Sequence, residues 1–248
     1  IYTGEDTLSL HDALPISFLS RTVPELEAVS LPFMFPSREV AYKVMDGPAV
    51  DLIEDKMAAK GFTSLGFMEL GLRQVTNSQR PVRGMADLKG MKIRMQPIET
   101  HLATFKALGA EVVPMEFPLV YAALKDGRLD GQENPVPTIA NSRFYEVQKH
   151  LTLTGHFFAP IAFVANRAMF EQLDPDDQAV LIAAAKAAAE VTWQAELDAP
   201  RLEQVRKGGM EVIEKIDRQP FLDALKPLDQ EFEKRFGKDL IAAIRSTR

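Results

Sequence analysis

The chain has 248 residues, with 29 Lys and Arg against 35 Asp and Glu, a formal charge of −6. That balance excludes the basic face a nucleic-acid binder needs, and a hydrophobic content of 46% excludes general disorder. Cysteine is absent, which removes disulfides, thiolate catalysis and cysteine metal sites together, and no apolar run of about 18 residues offers a membrane span.

The opening IYTGEDTLSLHDALPIS has no initiating Met, no signal-peptide order and no sustained helical or strand period. Residues 1–17 read as a non-native leader, with periodicity starting at Phe18. VSLPFMF over 29–35 reads as a short strand or extended segment, stopped by Pro36. Ser37 is the expected N-cap of a helix to about Met45, and Pro48 opens a second helix that closes at Gly61. FTSLGFMEL over 62–70 reads as a buried strand.

Short elements follow. A turn is expected at 76–78, one helical turn at 85–89 closed by Gly90, and a half-buried strand at 91–95, where MKIRM alternates apolar and basic. A helix over 98–108 ends at Gly109, a strand covers 111–114, and a helix over 118–125 ends at Gly127. This strand–helix rhythm indicates α/β architecture. The apolar stretch 151–165 suits a strand pair or one long strand. An Ala-rich helix opens at Asp174-Pro175, exceeds the usual globular length and should break near Pro200. A strand at 210–216 and helices from 220 to the end complete the pattern.

The four histidines, at 11, 101, 150 and 156, form no i, i+4 pair on a predicted helix, and no phosphate-binding loop, dinucleotide fingerprint or nucleophile elbow is present. No metal and no cofactor are expected. Arg73 follows the 62–70 strand and Arg94 lies inside the 91–95 strand. Each is either a solvated outward residue or an anion anchor, since a guanidinium offers a planar fork matching both carboxylate oxygens. Asn134 precedes Pro135 in DGQENP and reads as an N-cap of the next helix, where an anion is also favoured. Glu133 reads as part of a polar loop, with a base as the alternative. Phe117 suits core packing or a pocket floor, and His156, in an apolar run, suits a hydrogen-bonded core histidine.

From about Phe18 onward the chain resembles the substrate-binding subunits of tripartite ATP-independent periplasmic (TRAP) transporters, the DctP type. The matching stretches are LPFMFPS, GLRQVTNSQRPV, ADLKGMKIRMQ, ALGAEVVPMEFPLVYAALKDGRLDGQENP and RFYEVQKHLTLTGH. The resemblance implies a two-lobed periplasmic binding protein type II fold crossed by a long helix. Lobe I would comprise 18–70 and 160–199, and lobe II 71–159 and 200–248. It implies a periplasmic protein that captures a small organic acid and delivers it to the small and large membrane subunits of a TRAP transporter. By matched motif, Arg94 would anchor the ligand carboxylate and Arg73 would assist, with Asn134, Phe117 and His156 in or near the pocket. The family's signal peptide and first strand–helix units have no counterpart here, so lobe I is expected to be incomplete. Two rival readings stand beside this one. One is an α/β enzyme acting on a small carboxylate, with His156 or Glu133 as acid–base; the other is a non-functional truncated fragment.

Overall fold

A computed structural model describes residues 11–194 and 198–247. Regular structure begins at β1 (His11–Pro15), ahead of the expected start at Phe18, because this segment pairs antiparallel with a later strand rather than following a period of its own. The short α1 (Ile16–Leu19) buries Ile16 and Leu19. Where an extended segment was expected over 29–35, residues Pro24–Ser30 form a 3-10 helix opened by Pro24, and only the following residues extend. Ser37 caps α2 (Arg38–Met45), its Oγ accepting from the Val40 amide, and α3 (Pro48–Ala59) starts on Pro48 as the sequence indicates.

β2 (Phe62–Asn77) is longer than the sequence suggests, at 16 residues, because Arg73 and its neighbours continue the strand into a second layer of pairings. β3 (Lys92–Met95), α4 (Glu99–Ala107), β4 (Glu111–Pro114) and α5 (Val120–Lys125) follow in the expected order. The DGQENP segment departs from expectation. Residues Gly131–Pro135 form a fully buried strand, β5, and the residue capping α6 (Val136–Asn141) is Pro135 rather than Asn134. The apolar stretch becomes β6 (His150–Thr152) and β7 (Phe158–Asn166), leading to α7 (Arg167–Phe170). The long helix is described as α8 (Pro175–Gln194) and α9 (Asp198–Lys207), so Pro200 lies in the first turn of α9, and β8 (Glu211–Ile213), α10 (Gln219–Phe236) and α11 (Lys238–Ser246) close the chain. No described helix is long and apolar enough to cross a membrane.

One mixed sheet runs β1-β7-β2-β5-β3-β4, with β6 joining β2 and β8. β2 is its spine: residues up to Leu72 pair with β7, and residues from Arg73 pair with β5 and β6. Gly71, at φ +132°, sits at the irregularity between these halves, and a Cβ there would lie 2.8 Å from the Pro135 Cβ. Gly131 permits the closest approach of β5 to β2, since a Cβ would meet the Thr76 carbonyl oxygen at 2.2 Å.

Two large apolar clusters flank this spine. One joins residues 16–57 to Phe158, Ala162 and Val164 of β7; the other joins Val75, Ile93, Met95, Phe105 and Phe157. The C-terminal tail bridges them. Phe221 and Leu225 pack into the second cluster, while Phe232, Phe236, Leu240 and Ile244 pack into the first. The apolar face of this tail therefore spans both clusters.

Candidate ligand-binding site

β3 runs parallel to both β4 and β5, so their carboxyl ends share one edge. In open α/β sheets that edge is where ligands bind. Arg94 lies at the end of β3, Asn134 at the end of β5, and Phe117 just beyond β4. The sequence reading of β3 as half-buried is corrected here, because Arg94 is only 1% exposed.

Arg73 and Glu133 are both fully buried and ion-paired, Arg73 Nε meeting Glu133 Oε2. One Nη of Arg73 also donates to Glu133 Oε1 at 2.8 Å, to the Glu133 carbonyl at 2.7 Å and to Asn134 Oδ1 at 3.1 Å. The other, Nη1, has no hydrogen-bond partner among the described residues. Asn134 Nδ2 donates to Gln132 Oε1 at 2.6 Å, and Gln132 Nε2 donates to Thr76 Oγ1 at 2.9 Å. These polar side chains satisfy one another, which is how a polar strand is tolerated at the centre of a sheet. Burial pushes the Glu133 carboxyl up, but the Arg73 charge and hydrogen bonds from His156 and Arg73 outweigh it and hold it well below the usual carboxylate range.

His156 Nε2 lies 3.2 Å from Glu133 Oε2, and its Nδ1 lies 2.6 Å from Thr154 Oγ1. An ionised Glu133 can only accept, so Nε2 carries the proton and Nδ1 accepts from the Thr154 hydroxyl. Arg94 differs from Arg73. Its Nε donates to the Met115 carbonyl at 2.8 Å, its Nη1 is buried without a partner, and it joins no ion pair among the described residues. Burial lowers its pKa to about 10, against the opposing pull of Glu133. Phe117, 40% exposed, lies with its ring centroid 5.8 Å from the Arg94 guanidinium carbon and so belongs to no core.

The structure thus joins Arg73 to His156 through Glu133 and to Asn134 directly, and places Phe117 against Arg94. Glu133, read from sequence as part of a polar loop, is the hub. His101 and Ser30 were also missed. With Arg73, Gln96, Leu70 and Ala159 they line a narrow cleft, about the size of one water molecule, to which Pro15–Ser17 also contribute. The signal for His101 was its place in the first turn after the Arg94 strand.

Both inner histidines are kept neutral. Burial pushes His101 down to about 3, against the pull of Glu133, and burial likewise lowers His156, opposed by its hydrogen bond to Glu133. A base whose folded pKa lies below its unfolded value of about 6.5 favours the folded state above 6.5, because the unfolded chain takes the proton first on acidification. Stability is therefore expected to fall as pH drops from 6.5 toward 3, by about 1.4 kcal/mol per pH unit from His101 alone. Urea midpoints at pH 7 and pH 5 check this: a lower midpoint at pH 5 is expected, and equal midpoints would contradict the neutral assignment.

The sequence profile of the bacterial extracellular solute-binding protein family 7, DctP, matches residues 13–235. A solute-binding protein of Verminephrobacter eiseniae is 41% identical over 226 residues, covering 90% of this chain and 68% of that protein. The 2,3-diketo-L-gulonate-binding periplasmic protein YiaO of Escherichia coli is 37% identical over 206 residues, covering 82% of this chain and 62% of that protein. The chain thus spans about two thirds of the length of these relatives. A crystallised TRAP periplasmic solute-binding protein of Polaromonas, bound to D-erythronate, superimposes with a TM-score of 0.91 at 38% identity, covering 96% of this chain and 79% of that one. The two-lobed α/β architecture and these matches agree: the chain belongs to the bacterial extracellular solute-binding protein family 7.

Proposed function

We propose that the protein captures a small organic acid in the periplasm and hands it, unaltered, to the small and large membrane subunits of a TRAP transporter. Arg94 carries this reading. A guanidinium that is 1% exposed and lacks a carboxylate partner is an unstable arrangement unless an anion completes it. Arg73 and Glu133 cancel in charge and both inner histidines are neutral, so Arg94 leaves one positive charge at this edge, matching one ligand carboxylate. Arg73 contributes its unpaired Nη1, Asn134 holds Arg73 in place, and the Phe117 ring covers the Arg94 guanidinium. His156 supports the site by holding Glu133 through Nε2. The D-erythronate of the Polaromonas neighbour and the diketogulonate named for YiaO indicate sugar acids as the ligand class.

Thr154, His156 and Glu133 have the order of a nucleophile, base and orienting acid, which is the feature an enzyme would need. Thr154 is only 2% exposed, however, and Glu133 is committed to Arg73. Binding is the better reading. A thermal-shift panel of organic acids tests it, since a ligand at a hundred times its Kd stabilises by about 2.7 kcal/mol. A specific upward shift is expected, with the acid recovered chemically unaltered by mass spectrometry. Conversion of the acid would favour the enzyme, and no shift with any carboxylate would refute capture.

A further inference from the structure

The tautomer of His101 follows from its neighbours. Ser30 Oγ donates its proton to the Phe158 carbonyl at 2.6 Å. It can then only accept at its remaining contact, which is His101 Nε2 at 3.0 Å. Nε2 also lies 3.2 Å from the Ser30 carbonyl, another acceptor. Nε2 therefore carries the proton, and Nδ1 is left as a lone-pair acceptor. That nitrogen is buried and has no partner among the described residues. Its Nε2 contacts to Ser30, together with stacking on Phe157 at 3.8 Å between centroids and an interplanar angle of 7°, hold the ring in this orientation. A buried acceptor held rigid and unsatisfied is costly to the protein alone.

His101 lines the same cleft as Arg73, whose Nη1 is a buried donor without a partner. Two residues lining one cleft thus carry one unsatisfied acceptor and one unsatisfied donor. A hydroxyl can donate to the first and accept from the second. A keto oxygen or a carboxylate can only accept, and a methylene does neither.

We propose that His101 is a specificity-determining residue of the acid site, its Nδ1 accepting a hydrogen bond from a hydroxyl of a hydroxylated monocarboxylate. This rests on the carboxylate capture at Arg94 proposed above. It adds which residue reads a ligand hydroxyl, so that the acid is distinguished from the matching deoxy and oxo acids at one carbon. A site built to hydrogen-bond a substrate hydroxyl rejects analogues lacking it far more strongly than an apolar pocket does.

The test uses calorimetric titration with D-erythronate and its monodeoxy and oxo counterparts, with succinate as a dicarboxylate control. In the unaltered protein, one monodeoxy analogue is expected to bind at least ten-fold more weakly than D-erythronate. In His101→Gln the amide nitrogen replaces Nε2–H opposite Ser30 while the Nδ1 acceptor is lost, so that preference should collapse to near unity. His101→Asn, whose Oδ1 stands close to the Nδ1 position, should restore part of it. Melting curves confirm that each variant folds, and the nitrogen chemical shifts of His101 read the tautomer independently of any variant. Binding that is lost in Arg94→Met but discriminates equally in His101→Gln would overturn the His101 role and leave carboxylate capture standing. Binding of succinate with no binding of D-erythronate would also overturn it. Indifference of all binding to Arg94→Met would overturn both readings.

Discussion

Replacing Arg94 by methionine is expected to abolish the thermal shift produced by the organic acid while leaving the unliganded protein about as stable as before. The two halves of this result have separate causes. Removing the guanidinium leaves a ligand carboxylate desolvated beside no cation, and truncating one partner of a buried charge pair costs about 2–5 kcal/mol, a loss of roughly 30-fold or more in affinity. In the free protein the Met115 carbonyl loses the Arg94 Nε donor, which costs about 1 kcal/mol. Against this, a buried cation without a carboxylate partner is replaced by an apolar chain of similar reach, which offsets that loss. Arg94→Lys should also weaken binding, because an ammonium cannot present two parallel donors to the carboxylate. Parallel calorimetry and thermal melts separate the outcomes. A variant that loses several kcal/mol of stability yet binds normally would make Arg94 structural.

Glu133→Ala is expected to have the opposite signature, a loss of about 3–5 kcal/mol in stability before any ligand is added, because removing one member of a buried ion pair strands the other. Arg73 would remain at zero exposure without its counterion, and His156 Nε2–H would lose its acceptor. The double replacement Arg73→Met with Glu133→Leu should recover more than half of that loss, since charge burial is removed along with the pair. Urea unfolding of the unaltered protein, Arg73→Met, Glu133→Leu and the double variant measures the coupling. A single-variant cost below about 1 kcal/mol, or a double variant that loses the sum of the two singles, would contradict the account. Because the folded pKa of Glu133 is depressed, its contribution is complete above about 4.5, its ordinary value, and is lost progressively as pH falls below it.

Much of the architecture is legible in the chain because helix ends carry local signals. Gly61, Gly90, Gly109 and Gly127 all close helices or turns with positive φ, and Ser37 caps α2 through its own hydroxyl. β5 is illegible for a physical reason. A run of Gln, Glu and Asn reads as a loop when water is the assumed partner. Here the partners are Arg73 and Thr76, more than 55 residues earlier, and no local period encodes that. β1 is hidden in the same way, its place set by pairing with β7. The candidate site was partly visible. Two arginines near strand ends could be picked out, and apart from the family resemblance nothing in their local pattern ranks them. Only Glu133 divides them into a neutralised arginine that organises the network and an open one that awaits an anion. For His101 the only sequence signal is its place after the Arg94 strand, because its tautomer is fixed by Ser30, 71 residues away.

The central claim is that an organic acid places its carboxylate on Arg94. The most direct measurement is a crystal structure of the protein grown with whichever acid gives the largest thermal shift. Carboxylate oxygens are expected within hydrogen-bond distance of the Arg94 terminal nitrogens, at the shared carboxyl edge of β3, β4 and β5. An acid bound elsewhere, or one seated at this edge with its carboxylate turned away from Arg94, would contradict it.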